Sequence, residues 1–373
     1  MKNTFGNNMS ITLFGESHGA YIGAVLDGLA PGIKIDDEFI ANQLTLRRPA
    51  GRISTARQEA DPYQIVSGAY EGRTTGTALT IIIPNSSQHS KDYSKTRAIA
   101  RPGHADYTAY CKYHGYEDFR GGGHFSGRIT AAIVAAAAIV IPALKEKGIY
   151  IGSHIKSLNG IADRDFANLE EDIKALGSMS FAALDDKAGE EMRAAAEEAA
   201  KAGDSVGGVL ETAIIGMPAG VGEPWFDSLE SQLSHAMFSI PAIKGIQFGA
   251  GFDMVDKRGS EYNDPFRMDG DKVITTTNNN GGINGGITNG MPVMFRLAVK
   301  PTPSIYKEQD SVNFMEGMDS KLQIEGRHDP AIIHRAKVVV DSMAALCIYD
   351  VLCGRFGTDY FAPESDGNCG KNG

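Results

Sequence analysis

Cysteine is scarce in this chain. Its 373 residues include four, Cys111, Cys347, Cys353 and Cys369, with no C-x-x-C pair and no His–Cys metal spacing. That pattern argues against a disulfide scaffold or a zinc module, and reduced thiols in a cytoplasmic protein are expected. Positive net charge is missing too. At a formal −10 the overall field repels nucleic acid and anionic membranes, so neither is expected as a partner. Any anionic ligand has to be drawn by a local basic cluster. No apolar run reads as long enough to span a bilayer, and residues 1–8 are polar, without the apolar core of a secretory leader. Walker and dinucleotide fingerprints fail on spacing.

Glycine, by contrast, is abundant at 44 residues and clustered, which points to tight turns or to backbone lying close to a ligand. Hydrophobic content of 42% and charged content of 22% are ordinary for a soluble globular chain, long enough to bury a sizeable core. An internal echo runs through it. "GAVLDGLAPG" (23–32) and "VLETAIIGMPAG" (209–220) are each β-rich and end in a turn, with Gly28 and Gly32 aligning with Gly216 and Gly220. Helix-like "DEFIANQL" and "DSLESQL" follow. Then come "TTGTALTIIIP" (74–84) and "TNGMPVMFRLAVKP" (288–301), each a turn feeding a strand. Each half ends in an apolar helix, one starting near Arg128 and one near Arg335, and both are expected inside the molecule; Pro142 is expected to kink the first. The reading is α+β, one domain over 1–356, with half-repeats at about 1–150 and 207–356. A charged, alanine-rich helical insertion is expected at about 160–206. The polar tail at 357–373 reads as disordered.

The arginines gather in glycine- and proline-punctuated loops rather than on helix faces. "LRRPAGRISTAR" carries Arg47, Arg48, Arg52 and Arg57, "RPGHAD" carries Arg101, "FRGGGHFSGR" carries Arg120 and Arg128, and "GRHDP" carries Arg327. In an acidic protein such clusters suit a small polyanionic ligand, because the guanidinium fork matches phosphate and carboxylate. The glycines before the helix at Arg128 would let backbone N–H groups approach an anion. "NNNGGINGGITNG" (278–290) reads as a loop that clasps something.

"GESHG" at 15–19 raises a hydrolase reading, with Glu16, Ser17 and His18 in a row. A nucleophilic serine needs the strand–turn–helix elbow of a G-x-S-x-G site. Here the letters agree, but a strand-like run follows, and adjacent Ser and His do not readily aim at each other. The hydrolase reading is therefore poor. His18 and His104 are each glycine-flanked on a loop, where catalytic groups tend to lie. His89, His114, His154, His235 and His334 read as structural.

"FGESHG", "RRPAGR", "RPGHADY", "RGGGHFSGR", "GDSVGG", "KPTPS" and "GRHDP", in this order, resemble the chorismate synthase family from the first ten residues to about Arg355. The resemblance implies a β-α-β layered sandwich with internal pseudo-two-fold duplication and central apolar helices, assembled as a homotetramer. It implies a carbon–oxygen lyase of the shikimate pathway. Its substrate is 5-enolpyruvylshikimate 3-phosphate, which loses phosphate and a C6 hydrogen by 1,4-anti elimination to give chorismate. Reduced FMN (FMNH2) is required, without net redox change.

Carried over by motif, His18 is the group that protonates the leaving phosphate, His104 the proton donor that manages the reduced flavin, and Asp329 the carboxylate that helps take the C6 proton. Ser17 hydrogen-bonds substrate and Glu16 is structural. Arg47, Arg48, Arg52, Arg101 and Arg128 match substrate-anion ligands. Arg47 and Arg52 also match positions associated with NADP in some members, which brings in NADPH as a candidate reductant. Flavin-contacting segments include His124, Phe125, Ser126, Ala242, Gly285, Lys300, Pro301, Thr302, Pro303, Ser304 and Arg327; no metal is implied. The chain departs from the family at 124–128, where many relatives have Arg-Ser-Ser-Ala-Arg, and at Pro241, where many have Asn. Two rival readings are a nicotinamide- or flavin-linked oxidoreductase and a non-catalytic polyanion binder. Substrate turnover with only catalytic reduced FMN separates all three.

Overall fold

The computed structural model describes residues 2–49, 53, 61–86, 97–324 and 329–363. Strand β1 (Thr4–Phe5), β2 (Ser10–Gly15), β3 (Tyr21–Asp27), β4 (Gln64–Ser67) and β5 (Leu79–Pro84) form one five-stranded antiparallel sheet in the order β1-β2-β3-β5-β4. Its buried face is set by period-two alternation. Ile22, Ala24 and Leu26 of β3 stand opposite Ile83, Ile81 and Leu79 of β5, and all six are buried. Helix α1 (Asp37–Arg47) lies between β3 and β4 in the chain and is capped by Asp36, whose carboxylate accepts from Phe39 N. Helices α2 (Asp106–Tyr113) and α3 (Thr130–Glu146) follow β5.

The second sheet holds β6 (Tyr150–Leu158), β7 (Ile161–Ala162), β8 (Gly208–Ile215), β9 (Ile243–Phe248) and β10 (Val293–Val299) in the order β9-β10-β8-β6-β7, again antiparallel. Helices α4 (Leu169–Leu176) and α5 (Asp186–Lys201) come between β7 and β8; α4 packs on β6 and β8, α5 on β6 and β7. Helix α6 (Leu229–Phe238) precedes β9, and α7 (Ile333–Phe356) follows β10. The two halves run through the same elements: β2-β3-α1-β4-β5-α3, and β6-β8-α6-β9-β10-α7. Matched strands also take the same places, β2-β3-β5-β4 in one sheet and β6-β8-β10-β9 in the other. The turns after β3 and β8 match as well. Gly28, Gly32, Gly216 and Gly220 have φ of 84°, 87°, 81° and 90°, a conformation that glycine takes without strain.

The second sheet therefore begins earlier than the half-repeat boundary expected at 207, since β6 pairs with β8. Its pattern hid this. β6 is covered on both sides, so Ser153 and His154 are buried along with Ile155, and the alternation is lost.

Helix α3 packs on β3 and β5, α7 packs on β6 and β8, and the two helices pack on each other, with α1 against both and α6 against α7 and β9. Every residue from Thr130 to Val140 and from Ala336 to Cys353 is buried. Both helices are thus covered on all sides. The expectation that no apolar run is long enough to span a bilayer needs correction. Gly127–Glu146 passes by length and composition, but 78% of its apolar window is buried inside the molecule, as in a core helix. Helix α3 continues through Pro142 to Glu146. The disordered tail expected from 357 also needs correction at its start. Thr358–Phe361 forms a 3-10 helix, with Phe361 buried and stacked on Tyr349 at 4.0 Å. Residues 364–373, including Cys369, lie outside the described residues.

His154 carries a testable stability term. It is buried, with Nδ1 2.8 Å from Asp163 and Nε2 3.1 Å from Glu211. Two carboxylates facing both ring nitrogens call for the imidazolium. Burial pulls the imidazole pKa down, but the hydrogen bonds and charges of Asp163 and Glu211 outweigh it and raise it. Glu211 is held at about 2: burial pushes it up, but His154 and Arg296 win. A histidine pKa raised by folding stabilises fully below its unfolded value near 6.5, and that stability is lost as pH rises through the folded value. Between pH 6.5 and the folded value, the thermal midpoint of the wild type is expected to fall more steeply than that of His154→Gln. Parallel melting curves against pH would remove His154 from this role.

Candidate active site

β2 ends at Gly15 and β3 starts at Tyr21, so the "GESHG" segment is a strand–turn–strand connection and not a nucleophile elbow. Gly19 N donates to Glu16 O at 3.0 Å, which makes Ser17 and His18 the two central residues of a tight turn. Both are buried. Ser17 N donates to Gly123 O at 3.1 Å, and Ser17 Oγ donates to Arg120 O at 3.2 Å. His18 Nδ1 lies 3.2 Å from Ser17 Oγ, so the expectation that the adjacent Ser and His do not readily aim at each other needs correction. A carbonyl only accepts, so the hydroxyl proton points at Arg120 and the imidazole Nδ1–H is the donor to Ser17. In that arrangement the serine orients the histidine and is not activated by it.

The glycine run faces both histidines. Gly121, Gly122 and Gly123 have φ of 61°, 94° and 53°. A Cβ on Gly121 would stand 2.2 Å from His18 Cε1, and one on Gly122 would stand 3.3 Å from His104 Cε1. Two adjacent residues thus press bare backbone against the two imidazoles. His124 Nδ1 donates to Gly15 O at 2.8 Å, Phe125 stands edge-on to Tyr113, and Ser126 Oγ accepts from Arg128 N at 3.2 Å.

His104 is held by its own loop. Asp106, at the start of α2, accepts from Arg101 Nε and NH2 at 2.7 Å each and lies 2.8 Å from His104 Nδ1, while Arg101 NH2 lies 3.1 Å from the same nitrogen. Burial pushes the Asp106 carboxyl up, but Arg101 and His104 outweigh it and hold it well below the usual carboxylate range. Arg101, expected as an anion ligand, is engaged by Asp106. The second half reaches this loop through residues 300–304. Lys300 Nζ donates to Gly103 O, and Pro303 approaches Gly103. Lys300 N donates to Ala242 O at 3.0 Å, and Ala242 has a φ of 75°, unusual for a residue with a side chain. Thr302 O accepts from Ser205 Oγ, Ser304 is buried, and Pro301 lies close to Gly207. Gly285 is at the tip of the hairpin formed by Ile283–Asn284 and Ile287–Thr288, with open space where a side chain would go. The asparagine loop before it is itself clasped: Asp264 accepts from Thr277 Oγ1, Asn279 N and Asn280 N.

Asp61 joins two of the expected anion ligands. Its side chain is fully buried, with Oδ2 accepting from Arg47 NH2 at 2.7 Å and Oδ1 from Arg128 NH1. Burial pushes its carboxyl up; the charges and hydrogen bonds of Arg47 and Arg128 win and lower it. Arg335 donates to Asp329 through NH1 and to Arg47 O through Nε at 2.9 Å. Asp329 is thereby tied to the same network. Arg48 lines a cavity of about 560 Å³ beside Asp61, Tyr63 and Leu44. Arg52, Arg57, Arg327 and His89 lie outside the described residues. Asp61, Asn85, Asp106 and Arg335 were missed in the sequence; only Asp106, inside "RPGHAD", stood in a motif already singled out.

A buried His18 and a half-buried His104 on one glycine wall, with arginines beside them where the halves meet, define an α+β enzyme equipped to move protons next to an anionic ligand. The chorismate synthase family profile matches residues 9–353. The chain is 43% identical over 350 residues to the chorismate synthase of Pyrococcus abyssi, covering 94% of this chain and 97% of that protein. It is 44% identical over 358 residues to that of Parabacteroides distasonis, at 94% and 97% coverage. A crystal structure of chorismate synthase superposes with a TM-score of 0.74 at 28% identity, covering 94% of each chain. The chain belongs to the chorismate synthase family, enzymes that form chorismate in the shikimate pathway.

Proposed function

We propose that this enzyme converts 5-enolpyruvylshikimate 3-phosphate to chorismate and phosphate by 1,4-anti elimination, with reduced FMN required and no net redox change. The observation that carries the reading is the pairing of His18 and His104 on Gly121 and Gly122. Two imidazoles a residue apart on one wall suit a site where protons are handled at two places on adjoining ligands.

A flavin fits the residues present. Thr302 Oγ1 is buried with no hydrogen-bond partner among the described residues, in the segment that abuts the His104 loop. A buried orphan hydroxyl favours a ligand that satisfies it. Residues 300–304, Ala242 and 124–126 would hold the cofactor, with Gly285 offering open space at its hairpin tip. Bound reduced FMN supplies transient electron density at the substrate. The chain's own groups do the rest. His18, steadied by Ser17, holds a proton for the departing phosphate. Asp329 receives the C6 proton, with Arg335 balancing its charge. His104, oriented by Asp106, is the proton donor beside the flavin. Arg48 meets substrate anions from the cavity side. Arg47 is buried against Asp61, which withdraws support for NADPH at that position.

We also read the matched order of elements as a duplicated β-α-β sandwich. The exposed Trp225, Phe226, Phe252 and Phe266 suit burial in a homotetramer. The free thiols of Cys111, Cys347 and Cys353 suit the cytoplasm.

The test is anaerobic turnover with reduced FMN far below substrate. Chorismate and phosphate are expected in amounts equal to the substrate consumed, with the flavin still reduced at the end. Product that stops at the flavin equivalents would instead mark an oxidoreductase. Binding without turnover would mark a polyanion binder.

A further inference from the structure

Asn85 directly follows β5 and reaches back to the turn that carries His18. Its Nδ2 donates to Glu16 O and to Gly19 O, each at 2.9 Å, and its backbone N donates to Ala20 O at 3.1 Å. Glu16 O and Gly19 O bracket Ser17 and His18, so one carboxamide holds both ends of the turn. On its other side, Oδ1 accepts from Arg128 Nε at 3.0 Å. The amide has one orientation. The carbonyls on one side can only accept and the guanidinium on the other can only donate. Arg128 is itself fixed, through NH2 to Pro84 O at 3.2 Å and through NH1 to the buried Asp61. The turn is thus pinned to the end of β5 and the start of α3, the rigid elements on which this half is built.

We propose that Asn85 is a positioning residue for His18, held in register by Arg128. It holds the turn so that the imidazole lies against Gly121, and touches neither substrate nor cofactor in doing so. The proposal rests on the reading of His18 as the proton donor to the leaving phosphate. Its structural part, that Asn85 sets where the ring lies, stands without that reading.

Asn85→Ala removes the clamp. Asn85→Asp keeps the shape but turns a carboxylate oxygen toward two carbonyls, so it reverses the clamp without opening space. Both variants are expected to lower kcat by about 10- to 100-fold, the cost of a misplaced catalytic group, with KM changed far less. Reduced-FMN binding should be retained. In NMR spectra of histidine-labelled protein the His18 ring resonances should move, while those of His154 and His235, remote from the turn, stay in place. A variant that folds, with the His18 resonances and kcat at wild-type values, overturns the proposal. Because the NMR readout needs no turnover, a failure of the proposed reaction leaves it intact: a moved His18 signal in a protein without lyase activity would sink the reaction and keep the clamp. Should Asn85→Ala fail to fold, Asn85→Asp carries the same two readouts.

Discussion

Alanine in place of Gly121 is expected to lower turnover by about 100-fold, the scale of loss when a catalytic group is pushed from its place. Two causes act at one atom. A φ of 61° lies in the left-handed region, where a Cβ costs about 1–2 kcal/mol before any contact is considered. The same Cβ would stand 2.2 Å from His18 Cε1, 2.5 Å from Nδ1 and 3.1 Å from Ser17 Oγ. These separations are far inside contact distance, so the imidazole or the wall has to move. Gly122→Ala is also strained at its φ of 94° but meets His104 only at 3.3 and 3.4 Å, so it should lose less activity. Gly127→Ala, with no neighbour within 4 Å of its Cβ, is the control and should keep near wild-type rates. Steady-state rates and melting temperatures of the three variants test the ordering. A Gly121→Ala protein as active as Gly127→Ala would show that the close approach to His18 has no bearing on catalysis.

What the sequence revealed and what it hid divide along a physical line. The strand–turn–helix echoes were readable because each rests on local chemistry: β-branched alternation, a glycine with positive φ, an apolar helix. The motifs at 15–19, 101–106 and 120–128 were readable for the same reason. The partners of the arginines were not. Arg47 and Arg128 looked like ligands in waiting, yet both meet Asp61, which lies 14 residues from the first and 67 from the second. Asn85 stands 43 residues before Arg128 and more than 60 after the turn it holds. Nothing in a linear pattern joins such residues; only the pairing of β3 with β5 brings Pro84 and Asn85 beside Tyr21 and the turn before it. Burial of polar residues misled in the same way. Ser153 and His154 broke the pattern of β6 because their partners, Thr212, Asp341, Asp163 and Glu211, come from other elements. In the tail, the aromatics of "DYF" outweighed polar neighbours because Tyr349 and Phe356 of α7 offered them rings to stack on.

Removal of the His18 ring is expected to cost about 10²- to 10⁴-fold in the chemical step, the worth of a general acid. The phosphate then departs without a proton from the protein. Reduced-FMN binding should persist, because the segments read as its ligands, residues 300–304 and Ala242, are held by Gly103, Ser205 and each other rather than by His18. Ser17→Ala should be milder, about tenfold or less, since it removes one hydrogen bond that steers the ring and no transferred proton. The structure adds a coupling that the two single variants cannot reveal. His18 fills the space that a Cβ on Gly121 would invade, so His18→Ala vacates it. In the double variant the larger steric part of the Gly121→Ala penalty, that against His18, should disappear, leaving the backbone part and the 3.1 Å approach to Ser17 Oγ. The melting-temperature losses should therefore be less than additive, as contacting residues allow. Single-turnover rates of the Ser17 and His18 variants, with melting curves of the Gly121 and His18 cycle, test both statements. Near-normal rates in His18→Ala beside a dead Ser17→Ala would reverse the roles within the turn. Strictly additive losses would mean that ring and wall do not meet as described.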